Sequence, residues 1–150
     1  MPKFQTRHKA RHSVSQMYGL VADIERYPEF VPLCEALTIR GRQDRQDGSI
    51  MVADMVVAYK VVRESFTSKV TLSPKRNEIL AEYLDGPFKH LENRWTFEAV
   101  DGEPDACHVS FFIDYEFKNR VLAGLMGSMF DKAFRKFSTA FEQRADLIYG

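Results

Sequence analysis

The chain has only two cysteines, Cys34 and Cys107, far apart and at no spacing that a metal site uses. They read as two reduced, partly buried thiols. Long apolar runs are missing as well. In the C-terminal third the longest stretch poor in charge, 119–131, is broken by Arg120. Its apolar part is about half of the ~20 residues that a membrane span needs. The start, Met1-Pro2-Lys3-Phe4-Gln5, lacks the apolar core of a signal peptide, which predicts a cytoplasmic protein. No Gly-x-Ser-x-Gly elbow and no phosphate-binding glycine loop occurs; Gly124-x-x-Gly127-Ser128 falls inside a helical pattern. No repeat, low-complexity tract or linker divides the chain, so residues 1–150 read as one domain.

What is present is apolar and aromatic. The 150 residues are 45% hydrophobic and include 12 Phe, too much apolar surface for a disordered chain. Net charge is zero but unevenly spread. Residues 1–12 carry Lys3, Arg7, Lys9 and Arg11 and no acid, and residues 118–150 carry six basic and three acidic groups. The middle is correspondingly acidic. Basic ends of this kind suit an anionic lipid surface or RNA, and equally a solvated strand and helix face.

Periodicity gives the elements. Residues 3–11 alternate Phe4, Thr6, His8 and Ala10 against Lys3, Gln5, Arg7, Lys9 and Arg11, a strand with one wet face. Ser13 and Gln16 form a capping-box pattern, and Val14, Met17, Tyr18 and Val21 follow at helical spacing. That helix is expected to stop near 24–26, because Pro28 disfavours helical geometry at Tyr27. Residues 27–32, with Pro28 and Pro32, read as a turn or a one-turn helix. Six strands are predicted over 35–43, 50–60, 62–73, 78–84, 91–100 and 107–117. Asp47-Gly48 marks a tight hairpin and Asp101-Gly102 a wider loop. Leu122, Met126, Met129, Ala133, Phe137, Ala140 and Phe141 then predict a long helix over about 120–148, with Leu125, Phe130 and Phe134 widening its apolar stripe. The pattern is α+β: a seven-stranded antiparallel meander able to curve around the last helix, with room for a cavity between them.

Few residues suggest chemistry. His8 and His12 lie about 13 Å apart on a strand, too far to share a metal ion, and His90 and His108 have no ligand pattern. Asp54, Arg63 and Glu64 either project into a pocket, where a carboxylate could do acid–base work, or face water. Gly124 and Gly127 suggest either close helix packing or a hinge over a cavity mouth. The basic–aromatic alternation over 130–137 suits RNA, and an amphipathic helix explains it without RNA. The most informative feature is the excess of Phe and Met, which fits a solid core or an adaptable apolar pocket.

Four blocks in register resemble the coenzyme Q-binding START-like family, whose bacterial members include ribosome association toxins and cyclase/dehydrase-like proteins. They are Asp23-Ile24-Glu25-Arg26-Tyr27-Pro28-Glu29-Phe30-Val31-Pro32-Leu33-Cys34, Phe66-Thr67-Ser68-Lys69-Val70, Asp85-Gly86-Pro87-Phe88-Lys89-His90-Leu91-Glu92-Asn93-Arg94-Trp95-Thr96-Phe97 and Val109-Ser110-Phe111-Phe112-Ile113-Asp114-Tyr115-Glu116-Phe117. The resemblance implies a helix-grip fold, with two short helices after the first strand and a hydrophobic tunnel between sheet and final helix. It implies binding of a polyprenyl quinone such as ubiquinone, or a similar lipid, by a non-enzymatic chaperone supporting respiratory electron transport. No catalytic residue, metal, further cofactor or DNA partner is expected. Tyr27, Phe30, Val31, Phe88, Trp95, Phe97, Phe112, Met126, Met129, Phe130, Phe134 and Phe137 are the candidate tunnel residues. Lys3, Arg7, Lys9, Arg11, Lys132, Arg135 and Lys136 are candidates for contact with an anionic inner membrane or with RNA. A ribosome-binding regulator is the alternative. An aromatase/cyclase-type enzyme is a third reading, and it would need an ionisable pair such as Asp54 with Arg63 or Tyr59 inside the pocket.

Overall fold

The computed structural model describes residues 3–59 and 61–150. Lys60, expected to close the second of the six predicted strands, lies outside the described residues. Strand β1 (Lys3–Ala10) is followed by helix α1 (Val14–Ala22) and a 3-10 segment (Ile24–Glu29). Strands β2 (Cys34–Arg45), β3 (Gly48–Tyr59), β4 (Val62–Ser73), β5 (Glu78–Asp85), β6 (Phe88–Val100) and β7 (Glu103–Phe117) lead to helix α2 (Arg120–Tyr149). The seven strands form one antiparallel sheet in the order β1-β7-β6-β5-β4-β3-β2. β1 and β2 are therefore opposite edges. The α1 and 3-10 segments carry the chain from one edge to the other, and the meander returns it to β1.

The capping box forms as the sequence suggests. The Ser13 hydroxyl accepts from the Gln16 amide at 3.2 Å, and the Gln16 side chain accepts from the Ser13 amide at 3.1 Å. α1 ends at Ala22, earlier than expected, and the next turn tightens into the 3-10 segment, which contains Pro28. The Asp101-Gly102 loop is tighter than expected, since Val100 pairs directly with Glu103. At the β2–β3 turn Gly48 has φ +151°, and a Cβ there would lie 1.9 Å from the Leu72 carbonyl oxygen. Only glycine lets the hairpin approach β4 so closely. Bulges interrupt β2 at 34/36 and 39/41 and β6 at 88/90. Such bulges bend strands and increase their twist.

One face of the sheet is apolar. β7 turns Cys107, Val109, Phe111, Ile113, Tyr115 and Phe117 inward, and β1 adds Ala10 at its end. α2 is 30 residues, about 45 Å long, and its N-cap is Asn119, whose side-chain oxygen accepts from the Leu122 amide at 2.9 Å. It buries Met126, Met129, Phe130, Ala133, Phe134, Phe141 and Ala145 against that face. The helix-grip, START-like architecture expected from the sequence is the one observed.

Candidate functional site

Sheet, α2 and 3-10 segment do not close on one another completely. They enclose a cavity of about 110 Å³ whose lining is apolar apart from Tyr27, Ser68 and Asn93. The void has a local cause. Ala53 on β3 pairs with Ser68 on β4, and Ala81 on β5 pairs with both Val70 and Asn93. Paired residues in an antiparallel sheet share a face, so these short side chains form a shallow floor, and Ala133 of α2 faces it. Around the floor stand aromatic walls. Phe88 meets Phe66 at 5.5 Å and Phe130 at 5.7 Å between ring centroids. Trp95 meets Phe141 at 4.9 Å. Gly86, at φ +144°, makes room for the Phe66 wall: a Cβ there would lie 2.5 Å from the Phe66 Cβ.

Seven of the candidate tunnel residues line the cavity: Tyr27, Val31, Phe88, Trp95, Phe130, Phe134 and Phe137. The Tyr27 hydroxyl donates to the Val21 carbonyl, and burial pushes this phenol far above its ordinary pKa. Its polar end is thus engaged by the protein. Four others stand behind the wall. Phe30 packs on Phe141 at 5.0 Å with the Arg144 guanidinium 5.1 Å above its ring. Phe97 stacks behind Trp95 and meets Tyr18 at 5.4 Å. Met126 and Met129 are buried in the core outside the lining. Phe112 is a correction. It pairs with Gln5 and Arg94 on the outer face, while its neighbours Phe111 and Ile113 point inward. Of two adjacent phenylalanines in a strand only one can face the core.

The sequence reading missed Phe66, Met55, Leu91 and Phe141, and it missed the floor. The signal for Ser68 was available: it falls on the inward phase of β4 with Phe66, Val70 and Leu72.

Among the described residues, no carboxylate, basic group or thiol lines the cavity. Asp54 is bound by the Thr67 hydroxyl and Arg40, and the Thr67 hydrogen bond leads in holding its carboxyl below the ordinary range. Arg63 pairs with Glu35 at 3.2 Å. Neither lines the cavity. Both cysteines are buried, one near each side of the sheet, and burial pushes each thiol up to about 11, which makes them poor nucleophiles.

The basic candidates lie elsewhere. Lys3, Arg7 and Lys9 project from the outer face of β1, and each meets an acid of the neighbouring strands: Asp114 at 3.9 Å, Glu98 at 3.6 Å and Glu103 at 2.7 Å. Arg11 is exposed beyond the strand, and Lys132, Arg135 and Lys136 are exposed on α2. Arg135 pairs with Asp131 and lies over the Phe4 ring. The two basic segments are neighbours, because the Thr6 and Ser138 hydroxyls meet at 3.4 Å.

A different surface stands out. Tyr59, Val61, Leu84, Val121 and Leu125 are all exposed, Val61 at 98% and Val121 at 70%. The β3–β4 turn, the end of β5 and the first turns of α2 lie at one end of the sheet, since the Lys118 amide donates to the Pro87 carbonyl at 2.9 Å. At that end a Cβ on Gly124 or Gly127 would touch nothing within 4 Å. The close-packing reading of these glycines is therefore overturned. Among the described residues no helix is long and apolar enough to cross a membrane.

Comparison with known proteins gives concordant results. Residues 11–142 match the family described as polyketide cyclase / dehydrase and lipid transport. The chain is 32% identical to the mitochondrial coenzyme Q-binding protein COQ10 homolog B of Xenopus laevis over 92% of its own length. It spans 55% of that relative, about half. It is also 32% identical to the ribosome association toxin RatA of Escherichia coli K12, over 99% of this chain and 90% of that one. A START superfamily protein from Mycobacterium smegmatis superposes with a TM-score of 0.78 at 19% identity, covering 97% of this chain and 98% of the other. At that identity the likeness shows the fold alone.

Proposed function

The chain belongs to the polyketide cyclase / dehydrase and lipid transport family, and on that premise we propose that it is a single-unit lipid carrier that holds a polyprenyl quinone, or a similar lipid, between sheet and α2. The observation carrying this reading is the cavity itself: apolar, walled by aromatics and bare of ionisable groups except the engaged Tyr27 phenol. Such a lining offers nothing to a charged substrate and no acid–base pair to catalyse a reaction, so the chain acts as a chaperone and not as an enzyme. The name of the Xenopus relative supports a quinone as the lipid.

The cavity size bears on how a lipid fits. An engineered apolar cavity of ~150 Å³ takes up benzene, so about 110 Å³ falls short of a ring, and the cavity must widen to take the ring and still more to take a prenyl tail. The tail leaves toward the end that carries Leu84, Val121 and Leu125, and the lightly packed start of α2 with its two glycines is the segment that yields. The same exposed apolar end docks on a membrane, peripherally and from the cytoplasmic side of the inner membrane. Lys118 and Arg120 beside it suit anionic headgroups, each worth about 1 kcal/mol near the surface. The three paired cations of β1 contribute less than their number suggests.

Solvent extraction of the protein from a quinone-producing host, followed by mass spectrometry, tests the reading. A quinone present with the wild type and absent with Phe134→Arg is the expected result. An empty extract, repeated after incubation with quinone-loaded vesicles, refutes it. The second reading is ribosome binding, favoured by the name of the Escherichia coli relative and by the contact between β1 and α2 that brings Arg11, Lys132 and Lys136 onto neighbouring segments.

A further inference from the structure

Two polar side chains in the cavity each carry an oxygen that no protein donor meets among the described residues. Ser68 is 8% exposed, faces inward from β4, and its hydroxyl has no hydrogen-bond partner among the described residues. Asn93 faces inward from β6, and its Nδ2 donates to the Phe112 carbonyl at 3.0 Å. That bond fixes the amide and leaves Oδ1 without a protein donor. Alanine and valine would fill both positions in a cavity that served packing alone. Both oxygens face the cavity, where the apolar walls offer them no partner, and an unpaired polar group in such surroundings is costly, so a partner from the ligand is the economical explanation. We infer that Ser68 and Asn93 form the polar end of the lipid site, and that it favours a ring bearing hydroxyls, the hydroquinone, over the corresponding quinone. The inference rests on the lipid-carrier reading above.

The geometry suits a ring. Ser68 and Asn93 stand on either side of β5, two strand spacings apart with a two-residue offset, roughly 10–12 Å between backbones. Ala81, on the strand between them, leaves the space open. A six-membered ring with oxygens at opposite positions, hydrogen-bonded at both ends, spans a comparable ~10 Å. The donor count then separates the two redox forms. A quinone carbonyl only accepts, so it satisfies the Ser68 O–H or the free Asn93 N–H and leaves Oδ1 facing an acceptor. A hydroquinone hydroxyl donates to Oδ1, and at the other end the Ser68 hydroxyl rotates to accept or donate.

The test is anaerobic isothermal titration of the full chain with a decyl-tailed methoxybenzoquinone and with its hydroquinone. The hydroquinone is expected to bind about fivefold more tightly, the worth of one net hydrogen bond. Asn93→Leu, checked for folding by circular dichroism, is expected to shrink that ratio while the quinone still binds, and Ser68→Ala, whose hydroxyl serves both redox forms, to weaken both forms alike with the ratio kept. Equal affinities in the wild type, or a ratio unchanged in Asn93→Leu, overturn the inference and leave the carrier reading standing. Failure of the wild type to bind either form overturns the carrier reading and the inference with it.

Discussion

Filling the cavity from its floor separates a functional void from a packing fault. Ala81 faces the cavity between Val70 and Asn93, and Ala81→Ile adds three carbons there with a side chain suited to a strand. A void forfeits about 24 cal/mol per Å³, so 110 Å³ corresponds to about 2–3 kcal/mol. Three newly buried carbons at ~0.8 kcal/mol each give a similar ~2 kcal/mol. Part is lost to imperfect fit, so a gain of about 1–2 kcal/mol is expected, a rise in Tm of about 2–8 °C for a chain of this size. Urea titration with an unchanged slope measures it, and extraction or titration with quinone measures binding, which is expected to disappear. Stability bought by the same atoms that abolish binding is the signature of a site kept open for a ligand. In a core already filled, the added carbons would overpack and destabilise by about 1–3 kcal/mol. A destabilised variant that still binds quinone would refute the reasoning.

Other expectations follow from single features. Val121→Asp with Leu125→Asp removes two exposed apolar side chains from the end proposed to dock. Flotation with anionic vesicles should fall at least about tenfold, since burying one such side chain in lipid is worth ~1.5–3 kcal/mol, while stability in urea stays unchanged. Burial holds the His8 imidazole below its ordinary 6.5, against the opposing pull of Glu142. The folded chain thus binds fewer protons than the unfolded chain as pH drops below 6.5. Stability should fall from pH 7 toward pH 5.5, and the fall should be smaller in His8→Gln, as read by urea midpoints at both pH values. Ser13→Ala removes one half of the capping box and should lower stability by about 1 kcal/mol in the same titration.

The fold was legible because its signals are local. The capping box of α1, the alternation in β1 and the repeat in α2 each lie within a few residues, and turn residues separated the strands. The cavity walls were half legible. Aromatic residues announce apolar surface wherever they fall, but which of Phe111 and Phe112 faces inward depends on register with β1 and β6, and neighbouring residues in a sequence do not carry that register. Phe30 and Phe97 show the other limit: burial and lining differ, and a second row of aromatics behind the first has the same composition.

The floor was hidden for a stronger reason. A void is defined by what is missing from three strands at once, and Ala53, Ser68 and Ala81 each look unremarkable within their own strand. They become a site only because β3, β4 and β5 bring them into contact. The basic ends mislead in the opposite sense. Summed along the chain they make a cationic patch, yet the partners of Lys3, Arg7 and Lys9 come from β6 and β7. Once those acids are in place, an exposed apolar surface remains among the described residues at the end where α2 begins. In the proposed carrier, an apolar end on the same molecule as an apolar cavity would serve a lipid tail on its way from membrane to ring site. A carrier needs such a path, and a site that binds only soluble ligands does not.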